Sequence, residues 1–361
     1  MKILICTQKV DLNDDILGFF HSWIAEFVKH CEKVTVICLC RGEYDLPGNV
    51  KILSLGKEEK SLCVMRYALC VTRLKYIARF YRYIWRERKN YDKIFVHMNS
   101  EYVVLGGWLW KLWNKKIGLW YVHKAIPWQL KIAEKFVGVI FTASRESCNL
   151  ASQKIKVVGH GIDLRKFEIR NLKLEIGNIF KIIYVGRISP IKNQELLIGA
   201  IDILRRDTAL PRLSVKLIGG TIYEKDEEYL GKLKNLVKEK KLGGVVEFVG
   251  SVPNKDINKY YSEADLAVNL CPTGGVDKAV LEAMAAGLPV IVFNKTFENI
   301  LGEHKEEMIL REENAEELAG KIRGIMGWEA EKRERVGGDL RGVVEKGYGL
   351  EGLVKKISEE L

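Results

Sequence analysis

Short apolar runs bounded by glycine, proline or charge recur along this chain. Between them lie longer stretches whose apolar positions return every three or four residues. In the first half, Ile3–Cys6, Val34–Leu39, Lys51–Leu53, Lys93–His97, Gly118–His123 and Val137–Thr142 read as strands. Helical spacing lies between most of them, at Ile16–His30, Leu62–Lys89 and Glu101–Trp113. The second half repeats the alternation, with strands at Lys181–Val185, Ser214–Ile218, Val245–Val249, Leu266–Leu270 and Val290–Phe293. Apolar strands alternating with helices predict an α/β chain with parallel sheets covered on both faces. The polar stretch Arg165–Asn178 is the best linker, so the expected domains are residues 1–165 and 166–344.

Length and composition fit two domains. The chain has 361 residues, 47% of them hydrophobic, enough for two cores. Eight cysteines are scattered without a C-x-x-C pair, several inside apparent strands, which predicts reduced core thiols rather than disulfides or zinc ligands. The apolar run at Ile3–Ile5 is too short for a secretory signal, and no run approaches the roughly 20 residues of a membrane span. The expectation is a cytoplasmic protein.

Two segments carry candidate chemistry. Cys271–Val290, CPTGGVDKAVLEAMAAGLPV, runs from a strand end through a glycine loop (Thr273, Gly274, Gly275) into a small-residue helix with one carboxylate, Glu282. Backbone N–H groups in such a loop at a helix start can face a diphosphate. An acid one turn along is placed to accept hydrogen bonds from ribose hydroxyls. A buried sheet crossover accounts for the same residues equally well. Lys181–Leu197, KIIYVGRISPIKNQELL, adds a buried strand, a turn at Gly186 and a helix start at Ser189-Pro190. Arg187 and Lys192 flank that loop, where α/β sheets bind ligands. A planar fork and a movable point charge suit a diphosphate, and solvated surface charge is the plainer alternative.

Taken together, these segments resemble the retaining glycosyltransferases of family 4. Further matching pieces are Gly159–Asp163 (GHGID), Leu217–Gly220 (LIGG), Phe248–Pro253 (FVGSVP) and Tyr261–Asp265 (YSEAD). The resemblance is strong from Lys156 to about Leu318 and weaker before it. It implies the GT-B architecture, two Rossmann-like domains facing across a cleft. An N-terminal domain would take the acceptor, with a C-terminal helix at about 345–361 packing back onto it, and a C-terminal domain would take the donor. It also implies that Arg187 and Lys192 hold the donor diphosphate and serve catalysis, that Glu282 holds the ribose, and that His123 stands near the reacting sugar. The donor set implied is completed by Gly18, Gly161, Gly186, Gly219, Val252, Thr273, Gly274, Gly275, Val276, Asp277 and Leu281. Ser144 is a lesser candidate, with helix capping as its alternative.

The sequence departs from that pattern in three places. The family's signature is two glutamates separated by seven residues, and the first falls on Gly274. Asp277 is the nearest substitute acid, although N-capping of the following helix is the preferred role for it. After Val292 a glycine pair is common, where this chain has Asn294-Lys295-Thr296. The loop Gln8–Phe20 shows one glycine, Gly18, where two are usual, and Asp14 and Asp15 there read as helix caps.

The activity implied is transfer of a sugar, with retention, from a nucleoside-diphosphate sugar to a glycan or polyprenyl-linked acceptor in cell-surface polysaccharide or glycoconjugate synthesis. The donor is a co-substrate, and neither a cofactor nor a metal is expected. Two alternatives stand beside it: a non-catalytic nucleotide-sugar or membrane-surface binding protein, prompted by Gly274, and, ranked lower, a GT-B epimerase. A G-x-G-x-x-G fingerprint after a strand and a P-loop are both missing, which disfavours dehydrogenases and P-loop enzymes.

Charge adds a feature those motifs do not contain. Residues 1–165 hold 27 Lys and Arg against 15 Asp and Glu, and the remainder holds 31 against 32, so the net +11 belongs to the first half. Much of it lies in Lys57–Lys93, where Arg66, Arg73, Arg79, Arg82 and Arg86 recur among Tyr67, Tyr76, Phe80, Tyr81, Tyr83 and Trp85. Such a segment fits an anionic membrane surface, which would place the protein peripherally on the inner face of the cell membrane. An ordinary packed helix comes second and nucleic acid last. The tryptophans of Trp108–Trp120 slightly favour the membrane.

Overall fold

The computed structural model describes residues 1–59, 66–167 and 179–361, and of residues 66–72 the backbone alone. The chain forms two compact units. One is Met1–Gly161 with Pro253–Lys255 and Leu350–Leu361, and the other is Ile162–Val252 with Asp256–Gly349. Most of the expected linker, residues 168–178, lies outside the described residues.

The first unit is built on a parallel sheet of β1 (Lys2–Val10), β2 (Lys33–Arg41), β3 (Val50–Ser54), β4 (Lys93–His97), β5 (Lys116–Trp120), β6 (Val139–Thr142) and β7 (Ile155–Val157), in the order β3-β2-β1-β4-β5-β6-β7. Its helices include α1 (Phe19–His30), α2 (Arg66–Arg86), α3 (Glu101–Leu112) and α4 (Trp128–Phe136). Strand β1 shows why the apolar runs are unbroken. Ile3 and Ile5 pack with Phe20, Trp23 and Phe27 of α1 and with Leu353 and Ile357 of the helix Leu350–Glu360. The alternate residues Leu4 and Cys6 point to the other face, among Phe80, Ile84, Val103 and Trp110. The C-terminal helix thus supplies core to the first unit.

The second unit repeats the plan with β8 (Ile179–Val185), β9 (Arg212–Ile218), β10 (Val246–Gly250), β11 (Leu266–Asn269) and β12 (Val290–Val292), in the order β10-β9-β8-β11-β12. Helices α5 (Gln194–Leu204), α6 (Glu224–Glu239), α7 (Ile257–Glu263) and α8 (Lys278–Ala285) follow β8, β9, β10 and β11. Ile182 and Tyr184 face Leu197 and Ile201, while Ile183 faces Leu281 and Met284. In this sheet the strand order reverses between β8 and β11, so the loops leaving those two strands flank a switch point. Both candidate segments are those loops.

Several expectations need correction. Strand β5 ends at Trp120 rather than His123: Tyr121 N–H still donates to Phe141 O (2.9 Å), while its hydroxyl donates to the Ala125 carbonyl (2.8 Å) in the loop that follows. Helix α4 and strand β7 carried little periodic signal: α4 buries Leu130 and Ala133 alone, and β7 is an edge strand with two exposed residues. The aromatics of α2 divide between faces. Phe80 is buried, Tyr76, Tyr81 and Tyr83 pack partly against the same core, and Trp85 is exposed. Trp110 and Trp120 are likewise core residues, whereas Trp108 is exposed. The side chains of Arg66 and Tyr67 lie outside the described residues. The six described cysteines are free thiols, and burial pushes Cys31 up to about 11.

One buried base makes the first unit sensitive to acid. His97 closes β4 with its ring stacked on Phe20 at 4.0 Å, and burial pulls its pKa from 6.5 down to about 3. Between those values the unfolded chain binds the proton and the folded chain does not, so stability falls as pH falls below 6.5. Denaturant titrations should show a loss on the order of 2 kcal/mol between pH 6.5 and 5 from this group. His97→Phe, which keeps a ring against Phe20, should flatten that slope.

Candidate functional site

Three strand ends of the second unit are laced side by side. Beyond the ladders, Gly186 N–H donates to Ile218 O, Ile188 N–H to Gly220 O and Gly219 N–H to Gly250 O, each at 2.9 Å. Gly219 has φ +143°, and a Cβ there would lie 2.1 Å from the Gly186 carbonyl oxygen. Close approach of two backbones therefore demands glycine, and it anchors the residue that follows, Arg187.

Arg187 and Lys192 are held differently. The Arg187 side chain is one-third exposed, its guanidinium 5.5 Å from the centre of the Tyr223 ring and its Nε 3.8 Å from Asp226 Oδ2. Lys192 ends a 3-10 turn, Pro190–Lys192, and its ammonium sits 2.5 Å from Asp277 Oδ2. Burial alone would lower the Lys192 pKa, but the Asp277 carboxylate outweighs it and the net shift is upward. In the same way burial would raise Asp277, and Lys192 holds it below the usual carboxylate range.

The loop after β11 meets the loop after β8 through this pair. Asp277 Oδ1 accepts from Ala279 N–H (3.1 Å) and so caps α8 as expected, while Oδ2 also accepts from Asn269 Nδ2 (3.0 Å). Tyr184 ties the loops a second time, donating to the Lys192 carbonyl and accepting from Leu270 N–H at 3.2 Å. Thr273, Gly274 and Gly275 carry N–H groups that donate to no described backbone acceptor. One turn into α8, the buried Glu282 pairs with Lys278 and lies 3.5 Å from the Tyr261 hydroxyl.

Two departures from the family pattern touch each other. Asn294 Nδ2 donates to Gly275 O (3.0 Å) and Gly274 O (3.4 Å), and the Thr296 hydroxyl also reaches Gly274 O (3.4 Å). Gly274 has φ +134° with open space around an added Cβ. The room for a larger side chain is present, and the backbone conformation is what excludes it.

The second unit thus gathers Gly186, Arg187, Lys192, Gly219, Thr273, Gly274, Gly275, Asp277 and Glu282 near the carboxyl edge of its sheet. Val276 and Leu281 are core side chains, and Val252 packs partly against the same core. Gly18, His123 and Gly161 belong to the first unit. Gly18 N-caps α1 after a turn in which Asp14 accepts from Ile16 and Leu17 N–H (2.9 and 2.6 Å). His123 lies exposed in the loop after β5, its Nδ1 accepting from Ala125 N–H at 3.0 Å. Gly161 allows close packing, since a Cβ there would come 2.7 Å from Leu353. Ser144 pairs with the Ser147 hydroxyl at 2.9 Å.

Sequence reasoning missed Tyr184, Asn269 and Asp226. A signal existed for Asp226 alone, as the acid three residues into a helix start at Tyr223. Among the described residues one group has the composition of a metal site: Glu303, His304 and Asp339, within 4.8 Å of one another. The 3.1 Å contact of His304 with Asp339 already accounts for that arrangement.

Comparison with known proteins shows what the chain is similar to. Residues 166–339 match the family model described as "Glycosyl transferases group 1". Over those residues the chain is similar to the group 1 glycosyl transferases. Spore coat protein SA of Bacillus subtilis is 27% identical over 252 residues, 63% of each chain. The putative colanic acid biosynthesis glycosyltransferase WcaL of Salmonella typhimurium is 24% identical over 184 residues, 49% of this chain and 43% of that one. The chain therefore spans less than two-thirds of these curated relatives. Among solved structures, Anabaena HepE in complex with UDP and glucose superposes with a TM-score of 0.75 at 17% identity, covering 99% of this chain and 98% of that one. At that identity the likeness is one of fold, two Rossmann-like parallel-sheet domains of the GT-B kind.

Removing Asp277 should separate its two duties. Asp277's contribution is present above the ordinary carboxylate pKa and is lost as pH falls through its depressed value. Asp277→Ala should cost about 1 kcal/mol for the lost cap and more for leaving Lys192 unpaired. Urea midpoints of wild type and mutant measured against pH should converge as the solution is acidified toward that value.

Proposed function

We propose that this glycosyltransferase moves a sugar from a nucleoside-diphosphate donor to a glycan or polyprenyl-linked acceptor, with retention of anomeric configuration. The observation that carries the donor half is the meeting of Arg187, Lys192, a glycine loop with undonated N–H groups and Glu282 at one switch point. HepE, of the same fold, is described with UDP and glucose bound, and WcaL is named for colanic acid synthesis. Those descriptions support a nucleotide sugar as donor and a cell-surface polysaccharide as the product class.

The chemistry follows from the charges. As the glycosidic bond to the diphosphate breaks, negative charge grows on the leaving oxygens. Arg187 supplies a fork, Lys192 a point charge already fixed by Asp277, and the loop N–H groups add donors ahead of α8. Preorganised in this way, they stabilise the leaving group without reorganising at the moment of reaction, and the two cations fill the role a divalent ion would otherwise play. The leaving phosphate takes the acceptor's proton, so that no separate base is required. One observation favours a second reading, binding without transfer: Gly274 offers no carboxylate to the transferred sugar.

On the acceptor side, the first unit presents a basic and apolar face. Trp85, Trp108 and Leu112 are exposed, with Arg82, Arg86 and Lys111 exposed beside them. Arg88 lies 4.8 Å over the Trp85 ring, and Trp85 meets Trp113 at 5.7 Å. Exposed rings beside arginines suit the headgroup level of an anionic bilayer, where each basic residue contributes about 1 kcal/mol. Among the described residues no helix is long and apolar enough to cross a membrane. Contact with a bilayer would therefore be made by this face, where a polyprenyl-linked acceptor is found.

A thermal-shift series with UDP, GDP, ADP, CMP and their sugars should raise the melting temperature with one diphosphate, and Glu282→Ala should abolish the shift. Sugar transfer or donor hydrolysis then separates an enzyme from a binding protein, the latter showing the shift without turnover. Vesicle sedimentation should recover the protein on phosphatidylglycerol at low salt. Trp85→Ala/Trp108→Ala should weaken that recovery several-fold, and equal recovery on phosphatidylcholine would refute the electrostatic part.

A further inference from the structure

Asp226 poses a problem that capping does not solve. It is fully buried at the start of α6, where its Oδ2 accepts from Ile222 N–H (3.3 Å) and Tyr223 N–H (3.2 Å). Any capping oxygen would satisfy those donors, and asparagine or serine would do so without burying a charge. Oδ1 is buried and accepts no hydrogen bond from any described residue. A buried carboxylate is costly unless a cation lies beside it. The cation within reach is Arg187, its Nε 3.8 Å from Oδ2, just outside hydrogen-bond range.

Arg187 is held at its other end as well. Gln194, buried, donates from Nε2 to the Arg187 carbonyl at 3.0 Å, and the Gly219 contact fixes the peptide before it. The face of Tyr223 lies beside the guanidinium, and Tyr223 is the residue whose N–H Asp226 caps. One rigid helix start therefore provides a carboxylate for the Nε edge and a ring for the flat face. The two Nη groups remain free of hydrogen bonds to described residues, on a side chain one-third exposed.

We infer that Asp226 is a positioning residue: it holds the Nε edge of Arg187 so that the Nη edge faces the donor diphosphate. The inference rests on the donor-site reading above and extends it by a residue outside the family motifs. It differs from a capping role in what it predicts. A cap acts on α6 regardless of Arg187, whereas a positioning carboxylate acts through Arg187 alone.

The test is a double-mutant cycle read by calorimetric titration with UDP, GDP, ADP and CMP. Asp226→Asn keeps the capping oxygen and removes the charge, so its melting temperature should stay close to wild type. It should weaken the preferred nucleotide about tenfold, as should Arg187→Ala. The double mutant should bind within twofold of Arg187→Ala. Losses that multiply would overturn the positioning role while leaving the donor site standing. Wild-type protein that binds none of the nucleotides would overturn the donor reading and this inference together. Should Asp226→Asn fold poorly, Asp226→Ser offers a smaller capping oxygen, and the cycle is read on that pair.

Discussion

An ammonium and a carboxylate 85 positions apart hold the second unit's site together. Neither Lys192 nor Asp277 would be stable in its place alone, because burial opposes the charge on each, and each removes that penalty for the other. Their contact brings the loop after β8 against the loop after β11 at the point where the sheet reverses its order. Tyr184 repeats the connection from within the core, so the two loops are tied once by charge and once by a hydroxyl. With those ties made, the cap on α8, the glycine loop before it and Glu282 follow in fixed relation.

The two cations of the site differ in how far they are spent. Lys192 stays charged in an ion pair with its partner, which fixes it in place. Arg187 is more exposed and its fork is only loosely engaged, with the nearest carboxylate 3.8 Å away. On the donor reading proposed above, a diphosphate would find one cation already anchored and one with donors to spare. The carboxylate side of the site is leaner than in the family pattern, since Gly274 has taken a backbone shape that Asn294 and Thr296 hold from behind. Two sequence departures thus become one structural feature.

The first unit separates its apolar residues by face with little regard to chemical type. Of the aromatics along α2 and α3, Phe80 and Trp110 fill the core, and Trp85 and Trp108 stand outside. Rings interleaved with arginines do not by themselves show which stay at the surface, because helix rotation and not composition chooses them. What is left is a smaller patch drawn from two helices, which no single segment of sequence displays.

Features generated by neighbours in the chain were legible beforehand. Unbroken apolar runs marked the parallel strands, because a strand covered on both faces needs apolar residues at every position. Gly186 and Asp277 marked a loop and a helix start, since turn geometry and capping act over two or three residues, whereas Ser189-Pro190, expected to start a helix, opens only a 3-10 turn and α5 begins at Gln194. The C-terminal helix that the resemblance implied at about 345–361 forms over Leu350–Glu360, since the preceding helix runs on to Gly347. Contacts across tens of residues were decided by tertiary structure alone: the pairing of Lys192 with Asp277, the Tyr184 bridge, the buried Asp226 carboxylate beside Arg187, and the hold of Asn294 on Gly274. The physical reason is one of range. Periodicity and capping are set by adjacent residues, whereas hydrogen bonds and ion pairs depend on which strand ends the sheet order makes neighbours.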